Sequence, residues 1–259
     1  MFPEITHEFF LIFYIRYNSK VLCSFRLLSI YNKGLSIKIS IIIPVYKEKK
    51  INLFLQALLE NNSLKNDEII VVDGHKDSTI KEIHLENIIK ITSEKGRAKQ
   101  MNKAAHLASG SILLFLHADT ILPKNALNLI RESLNNDIVA GAFDLSFDSS
   151  KKALKLISKI ASIRSRLTSL PYGDQAIFIK KDIFENIGFY EEIPLMEDVN
   201  LMQKLKKKRY KIKILKEKVR TSPRKWENKG LFYTTLRNWL LISLYFIGVK
   251  PKNLVKYYT

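Results

Sequence analysis

Cysteine is almost missing from this chain, since Cys23 is the only one in 259 residues. A single cysteine cannot form a disulfide within the chain, and no CxxC pair or cysteine and histidine cluster is present that would hold structural zinc. A hydrophobic core must therefore hold the fold together, and 46% apolar residues are enough to build one. The expected compartment is a reducing one, the cytoplasm.

Two glycine-rich phosphate-binding motifs are also missing. The sequence contains neither GxxxxGK[ST] nor GxGxxG, which excludes the P-loop and Rossmann modes of holding a nucleotide. A nucleotide bound by this chain must be held in another way, by a basic side chain and a carboxylate-bound metal ion.

Acidic residues are few relative to basic ones. Lysine and arginine number 43 against 25 aspartate and glutamate residues, which gives a net charge of +18 and favours polyanions, anionic membranes or phosphorylated small molecules as partners. Much of this charge lies between Lys204 and Lys225, where Glu217 is the single acid. The segment is either a solvated basic face or a surface that docks on anionic lipid. No helix-turn-helix, RRM or zinc-finger pattern accompanies it, so nucleic acid is not the expected partner.

Each long apolar run of the sequence is either too short to span a membrane or interrupted by polar residues. The run over 9–15 is too short to span a bilayer and lacks the flanks of a secretory signal, so residues 1–37 are interpreted as an N-terminal appendage. Arg237 and Asn238 interrupt the run over 231–249 near its middle, which disfavours insertion into a bilayer. We expect amphipathic helices over 221–259, packed on the domain or lying at a membrane face.

Short β-branched runs alternate with stretches of helical periodicity from Lys38 onwards. The predicted strands cover residues 39–45, 68–73, 88–91, 111–117, 139–147 and 175–179, and the predicted helices 50–59, 98–107, 124–134, 152–167, 181–187 and 197–207. This alternation predicts one α/β domain over 38–220, with a mostly parallel sheet and helices on both faces.

Carboxylates follow several of these strands. Ligands of such sheets bind at the carboxyl ends of the strands, so 44–48, Asp73 and 117–119 are expected to meet at one rim. Asp73 and Asp119 each end an apolar strand, where a carboxylate can bind a base, a ribose hydroxyl or a divalent cation. The alternative for both is a purely structural cap of a turn or helix.

Two further acids, Glu197 and Asp198, begin a predicted helix. A carboxylate there can point into a cleft and act as a general base. The alternative is that both acids only balance the helix dipole.

Five stretches of the chain, in this order and spacing, resemble the motifs of family 2 glycosyltransferases, which are inverting enzymes with a GT-A fold. They are Ile41–Glu48, Val71–Gly74, Lys95–Asn102, Leu116–Thr120 and Met196–Asp198. The start of the third, Gly96-Arg97-Ala98, resembles a bacterial subgroup associated with radical-SAM and selenodomain proteins. Lys47, His75 and His117 stand where the family more often has Asn, Ser and Asp.

The resemblance implies a role for each matching residue. The implied donor-binding residues are Pro44, Val45, Tyr46, Glu48, Asp73, Gly96, Arg97, Asn102, Ala118 and Asp119, of which Asp119 also binds Mn²⁺ or Mg²⁺. The implied catalytic residues are Asp198, as the base, and Glu197. The implied acceptor-side residues are Gly173, Asp174, Gln175, Arg224 and Trp226. His117 is a metal ligand, a nucleotide contact or a core histidine.

The expected function is inverting transfer of a sugar from a UDP or GDP sugar to a hydroxyl or carboxyl group. The expected acceptor is lipophilic or small, and the expected location is the cytoplasm, with peripheral contact to the cytoplasmic face of the membrane. Two alternatives stand beside it. One is a non-enzymatic basic protein that binds nucleic acid or membrane, and the other is a nucleotidyltransferase that releases pyrophosphate.

Overall fold

The computed structural model describes residues 37–258, apart from residues 63, 65, 77 and 78. The predicted N-terminal appendage therefore lies, but for its last residue, outside the described part of the chain.

Strands and helices alternate along the described residues. The strands are β1 (Ile39–Val45), β2 (Glu68–Asp73), β3 (Ile88–Thr92), β4 (Ile112–Phe115), β5 (Thr120–Ile121), β6 (Ile138–Phe147), β7 (Phe178–Lys180) and β8 (Lys211–Thr221). The α-helices are α1 (Ile51–Asn61), α2 (Arg97–Leu107), α3 (Ala126–Ser133), α4 (Lys152–Thr168), α5 (Lys181–Asn186), α6 (Glu197–Lys207), α7 (Arg224–Lys229), α8 (Leu231–Phe246) and α9 (Pro251–Leu254). Short 3-10 helices cover Ile80–Glu82, Gly173–Gln175 and Val255–Tyr257.

All strands of the described residues join one sheet in the order β3-β2-β1-β4-β7-β6-β8-β5. The half that contains β3, β2, β1 and β4 is parallel throughout. In the other half β6 and β8 are parallel, while β7 and β5 run antiparallel to their neighbours. The predicted α/β sheet flanked by helices is thus confirmed, with antiparallel strands confined to its second half.

The core has two layers, one on each face of the sheet. Successive side chains of a strand point to opposite faces, so Ile39, Ile41 and Ile43 of β1 join one cluster while Ile42 joins the other. Helices α1, α3 and α4 cover the first face, and α2, α5 and α6 cover the second. Strands β1, β2 and β4 are therefore buried on both sides, which explains their continuous apolar sequences.

One strand prediction was shifted. The strand expected over 175–179 begins only at Phe178, and Gln175 lies in the preceding 3-10 helix. The Gln175 amide donates to the Phe143 carbonyl at 2.8 Å and accepts from the Ser165 hydroxyl at 2.6 Å. These bonds hold Gln175 in the turn and out of the strand ladder.

The basic segment forms the end of α6 and most of β8. Lysines of β8 face solvent, and β8 pairs with β5 only at Arg220 and Thr221 within the described residues. Charged side chains on a strand with little pairing on one side hinder edge-to-edge association with another chain. This placement matches the solvated-face interpretation of the segment.

The apolar C-terminal run folds as α8, 16 residues long. Within the described residues, no helix combines the length and the hydropathy that a membrane crossing requires.

Candidate functional site

The carboxyl ends of the parallel strands meet at one edge of the sheet. The register places Val45 beside Asp73 and Asp73 beside Thr92. On the other side of β1, Ile42 pairs with Phe115, after which the chain turns through 117–119. The predicted rim is therefore present in the structure.

At the β1 and β2 end of this rim, the two predicted donor residues differ in availability. Tyr46 is 42% exposed, with the Lys95 ammonium 4.7 Å from its ring centroid. Asp73 is fully buried, and its carboxylate accepts hydrogen bonds from the backbone N–H groups of His75 at 2.9 Å and Thr79 at 2.6 Å. The Asp73 carboxylate thus caps the turn after β2, which is the structural role that the sequence analysis gave as the alternative to ligand binding.

The remaining donor residues predicted from the first motif lie in the same turn region. Pro44 is partly buried and Val45 fully buried in β1. The Glu48 backbone N–H donates to the Thr79 hydroxyl at 3.0 Å, and its carboxylate accepts from the Lys50 N–H at 3.1 Å.

Gln100 of α2 holds β1 and β2 together at this edge, a function that the motifs did not single out. Its side-chain amide donates to the carbonyls of Val45 and Val72, at 2.7 Å each. A β-carbon at Gly74 would lie 2.9 Å from the same amide group, so a larger residue there would displace the Gln100 side chain. Gln100 therefore fixes the ends of the two strands that precede the predicted nucleoside contacts.

A pocket of about 870 Å³, partly open to solvent, lies between this rim and the C-terminal helices. Below, it is called the central pocket. Its charged and imidazole side chains are Arg97, His117, Asp119, Asp174, Asp198 and Arg237. The structure thus brings the predicted metal ligand and the predicted base together, although 79 positions separate them in the sequence.

Asp119 lies at the end of the turn after β4. The His117 carbonyl accepts from the Thr120 N–H at 3.0 Å, which closes the turn, and the Asp119 carbonyl accepts from the Ser222 N–H at 3.0 Å. The second bond continues the β5 and β8 pairing and fixes Asp119 at the wall of the central pocket.

Asp198 is held in place by backbone donors. Its Oδ2 accepts from the Gly173 N–H at 2.6 Å, and its Oδ1 accepts from the Val199 N–H at 2.7 Å. A β-carbon at Gly173 would lie 3.1 Å from Nε2 of His117 and 3.3 Å from Oδ2 of Asp198. Gly173 therefore lets the imidazole, the carboxylate and the backbone approach closely.

The preceding residue of the same motif, Glu197, is buried and pairs with Arg97. The two side chains are 2.8 Å apart, Arg97 Nε to Glu197 Oε1. Burial raises the pKa of Glu197, and the nearby negative charge of Asp198 raises it further. The positive charge of Arg97 acts to lower this pKa but does not outweigh them. Burial acts to lower the pKa of Arg97, but the charges of Glu197 and Asp198 outweigh it and raise this pKa above its usual value.

This ion pair joins the starts of two helices. Arg97 is the first residue of α2 and follows Gly96, whose φ of 143° favours glycine. Glu197 is the first residue of α6 and follows Met196, whose φ of 67° is uncommon for a side chain other than glycine. Arg97 and Glu197 are thus positioned to hold Asp198 at the pocket, and Glu197 itself is not exposed to a substrate.

Asn102 is engaged in the fold. Its amide donates to the Tyr190 carbonyl at 2.9 Å and its Oδ1 accepts from the Tyr190 N–H at 3.0 Å. Burial raises the pKa of the Tyr190 hydroxyl well above its usual value. Both ends of the Asn102 amide thus also bond the backbone of Tyr190, and its contact with the donor stays a prediction.

The predicted acceptor-side residues divide into two sets. Gly173, Asp174 and Trp226 line the central pocket. Gln175 is fully buried and makes the hydrogen bonds described above. Arg224 is exposed to solvent and does not line the central pocket. Ala118, from the donor set, packs against the core cluster that includes β1.

A second pocket, of about 860 Å³, lies between α4 and α8 and is called the apolar pocket. Its apolar lining comprises Leu145, Phe147, Ile157, Ile160, Ala161 and Trp239. Tyr172, Asp174, Trp226 and Asn238 line both pockets, so the two spaces adjoin.

Motif comparison missed several residues of these walls. Tyr172 lies under Arg164, whose guanidinium carbon is 3.5 Å from the ring centroid, and burial raises the pKa of the Tyr172 hydroxyl. Arg237 and Asn238 of α8 reach the central pocket. The available signal for these two was their position as a polar pair inside an apolar run, which the sequence analysis used only against membrane insertion.

Asp119 suits a hard divalent cation, because its half-buried carboxylate offers oxygen ligands at the pocket wall. Within the described residues, no group of three or more His, Cys, Asp or Glu side chains is placed to hold a metal ion. A cation that binds one or two carboxylates and completes its coordination with phosphate oxygens fits this arrangement.

The fold is similar to that of other solved proteins. One is the mannosyltransferase PcManGT from Pyrobaculum calidifontis, in complex with GDP-Man and Mn²⁺, with a TM-score of 0.54 and 18% identity over 70% of this chain and 56% of that one. Another is S. aureus TarS, with a TM-score of 0.52 and 16% identity over 85% of this chain and 42% of that one. The chain thus spans about half the length of these structures, and at such identities the likeness shows the fold alone.

Family membership rests on the sequence itself. No curated protein matches the chain. The family model described as glycosyl transferase family 2 matches residues 40–190, more than half of the 259 residues, and includes four of the five motifs. The chain therefore belongs to glycosyl transferase family 2.

Proposed function

We propose that this protein is an inverting glycosyltransferase that moves a sugar from a UDP or GDP sugar to a hydroxyl or carboxyl acceptor, with Asp198 as the base. One observation carries the proposal. The Asp119 and Asp198 carboxylates line a single pocket, and two backbone N–H groups orient Asp198 there.

The base would act through the oxygens of its carboxylate. The acceptor hydroxyl hydrogen-bonds to Asp198, which takes the proton as the acceptor oxygen attacks the anomeric carbon of the sugar. The bond from that carbon to the diphosphate oxygen breaks on the opposite face, so one displacement inverts the anomeric centre. A carboxyl acceptor, already ionised, would attack directly and use Asp198 for no proton transfer.

The leaving diphosphate would be held at the Asp119 side of the central pocket. A divalent cation held by Asp119 would neutralise the negative charge that develops on the diphosphate. Arg97 lines the same pocket and contributes a fixed positive charge. Tyr46 and the turn after β1 offer an exposed ring and backbone for the nucleoside.

The donor class is supported by analogy of fold. The similar mannosyltransferase was solved with GDP-Man and Mn²⁺, and the family match covers the motifs that bear Asp73 and Asp119. The narrower bacterial subgroup, associated with radical-SAM and selenodomain proteins, stays a prediction based on Gly96-Arg97-Ala98.

A lipophilic acceptor is supported by the apolar pocket, which adjoins the central pocket and is lined mainly by hydrocarbon and aromatic side chains. The two helices that line this pocket, α4 and α8, also carry exposed apolar side chains, among them Leu156, Ile163, Phe232, Leu236 and Leu240. An exposed apolar surface of this kind is typical of a protein or membrane interaction site. Peripheral contact with the cytoplasmic face of a membrane would bring such an acceptor to the pocket.

The test of the donor site is thermal stabilisation of the full chain by UDP or GDP, with and without Mn²⁺, for wild type and Asp119→Ala. Ligand binding to the native state raises the unfolding temperature by mass action. We expect a metal-dependent rise with one nucleotide that Asp119→Ala abolishes.

Absence of any rise with either nucleotide, in folded wild type, would reject the proposed reaction. Once the nucleotide is known, release of nucleoside diphosphate from its sugar is compared with and without a membrane lipid extract. A lipophilic acceptor requires faster release with the extract, whereas equal rates contradict it.

A further inference from the structure

Helix α8 brings a cation into the central pocket. Most of the helix is apolar, but Arg237 and Asn238 point toward the space that also contains Asp119 and Asp198. The polar pair that interrupts the apolar run is thus the part of α8 that faces the candidate reaction site.

The guanidinium of Arg237 is only partly used by the protein. Its Nε and Nη1 atoms are buried and have no hydrogen-bond partner, while Nη2 donates to Asn238 Oδ1 at 3.4 Å. The guanidinium carbon is 5.7 Å from the ring centroid of Tyr233 and 5.2 Å from that of Tyr258. Burying a charged donor without a partner is unfavourable, so the N–H groups of these two nitrogen atoms are best explained by an acceptor that is supplied with a ligand.

A second unpartnered donor lines the same pocket. The indole of Trp226 packs against Phe147 with ring centroids 4.6 Å apart, but its buried Nε1 has no hydrogen-bond partner. Trp226 lies on α7, immediately before α8 in the chain. Two neighbouring helices therefore each carry buried, unpartnered N–H groups on a residue that lines the central pocket.

We propose that Arg237, assisted by the Trp226 indole, binds a phosphate-type anion in the central pocket. An arginine presents its N–H groups in a planar fork that matches phosphate or carboxylate oxygens in a bidentate manner. The anion is either the diphosphate of the donor or an acidic group of the acceptor. The choice between these sources rests on the proposed function, whereas the existence of the anion site does not.

The test uses inorganic phosphate as the probe, titrated calorimetrically into the full chain without nucleotide. The variants are Arg237→Met and, as a matched control, Lys216→Met, which also removes one positive charge but at an exposed position of β8 outside the pocket lining. We expect Arg237→Met to raise the dissociation constant for phosphate at least tenfold and Lys216→Met to leave it within twofold. Arg237→Gln, which keeps polarity, replaces the methionine variant if that one does not fold.

Equal phosphate affinity of wild type and the folded Arg237 variant would overturn the proposal, as would no binding of phosphate to wild type. A second titration, with the stabilising nucleoside diphosphate and Mn²⁺ at saturation, identifies the source. Phosphate that is excluded by the nucleotide assigns Arg237 to the donor diphosphate. Phosphate that still binds, and depends on Arg237, assigns it to an acidic acceptor. Failure of nucleotide binding would reject the proposed function and leave the first titration interpretable.

Discussion

At the amino ends of β1, β2 and β4, the Glu68 carboxylate accepts hydrogen bonds from the Ser40 hydroxyl at 2.5 Å and from the Ser109 N–H at 2.7 Å. It also pairs with Lys38 at 3.0 Å. In the central pocket, at the opposite ends of these strands, Arg237 and Trp226 keep buried donors without partners.

A neighbouring carboxylate strengthens the contrast. Asp67 is buried and accepts from the Ile39 N–H at 2.8 Å and from Arg131 at 2.5 and 2.6 Å. Polar groups that the chain satisfies by itself stabilise the fold, and polar groups that it leaves unsatisfied are available to a ligand. Substitutions at the two ends should therefore separate stability from activity.

The largest expected effect is on catalysis, at Asp198. Asp198→Asn removes the proton acceptor but keeps a side chain that can accept from the Gly173 N–H. With a hydroxyl acceptor, we expect the rate of nucleoside diphosphate release to fall about 10²–10⁴-fold. Nucleotide-dependent thermal stabilisation should stay at the wild-type level.

The control is Asp137→Asn, which changes an exposed carboxylate paired with Lys211 on the surface. It should leave the rate unchanged. If Asp198→Asn retained more than a tenth of the wild-type rate, Asp198 would not be the base.

The next effect concerns stability alone, at Glu68. Burial acts to raise the pKa of Glu68, but the Ser109, Ser40 and Lys38 contacts outweigh it and lower the pKa to about 2. The depressed pKa stabilises the fold above the unfolded-state value of 4.5, and this stabilisation is lost as the pH falls through about 2. Glu68→Gln should therefore lower the free energy of unfolding at pH 7 by about 2 kcal/mol, less than the full pKa shift implies because solvent screens this partly buried carboxylate.

Urea unfolding measures this difference across pH. Between pH 4.5 and 3.5 this difference should shrink by about 1 kcal/mol, because the unfolded wild-type chain takes up a proton on Glu68 while the folded chain keeps this carboxylate ionised. Glu217→Gln, at an exposed position of β8, should change stability by less than about 0.5 kcal/mol. A Glu68→Gln difference that did not depend on pH would contradict the assigned role of the charge.

The smallest expected effect is at Gly173, where geometry alone is changed. In Gly173→Ala the new methyl group would crowd His117 and Asp198, at 3.1 and 3.3 Å from their nearest atoms. Displacement of the base by a few tenths of an ångström should slow transfer roughly tenfold. The measurement is the same release assay, with nucleotide affinity as the control, and an unchanged rate would show that the pocket adapts to the methyl group.

Much of the architecture could be predicted from local pattern. The start and end of β1, β2 and α6 agree with the sequence-based bounds, because apolar periodicity and the terminal acids determine them. The strand at 175–179 was misplaced because the hydrogen bonds of Gln175 come from residues 10 and 32 positions away. Short-range propensity contains no information about such contacts.

For the site, the sequence predicted the positions of key residues better than the contacts of their polar atoms. Motifs located Asp119 and Asp198, which line one pocket. They also marked Asp73 and Asn102 as donor contacts, which stays a prediction, and the structure adds that both side chains bond the backbone. A motif reports which residue stands at a position, and only packing determines whether its polar atoms are already occupied.

The sequence by itself determined the α/β class, the family, and the carboxylates that end the strands and begin α6, because each follows from residues close together in the chain. Only the tertiary structure placed Arg237 and Trp226 against the same pocket as Asp119 and Asp198. It also joined that pocket to an apolar one between α4 and α8. Both placements depend on how helices that are distant in the sequence pack on the sheet. This packing determines which buried N–H groups find an acceptor within the chain and which are left for a ligand.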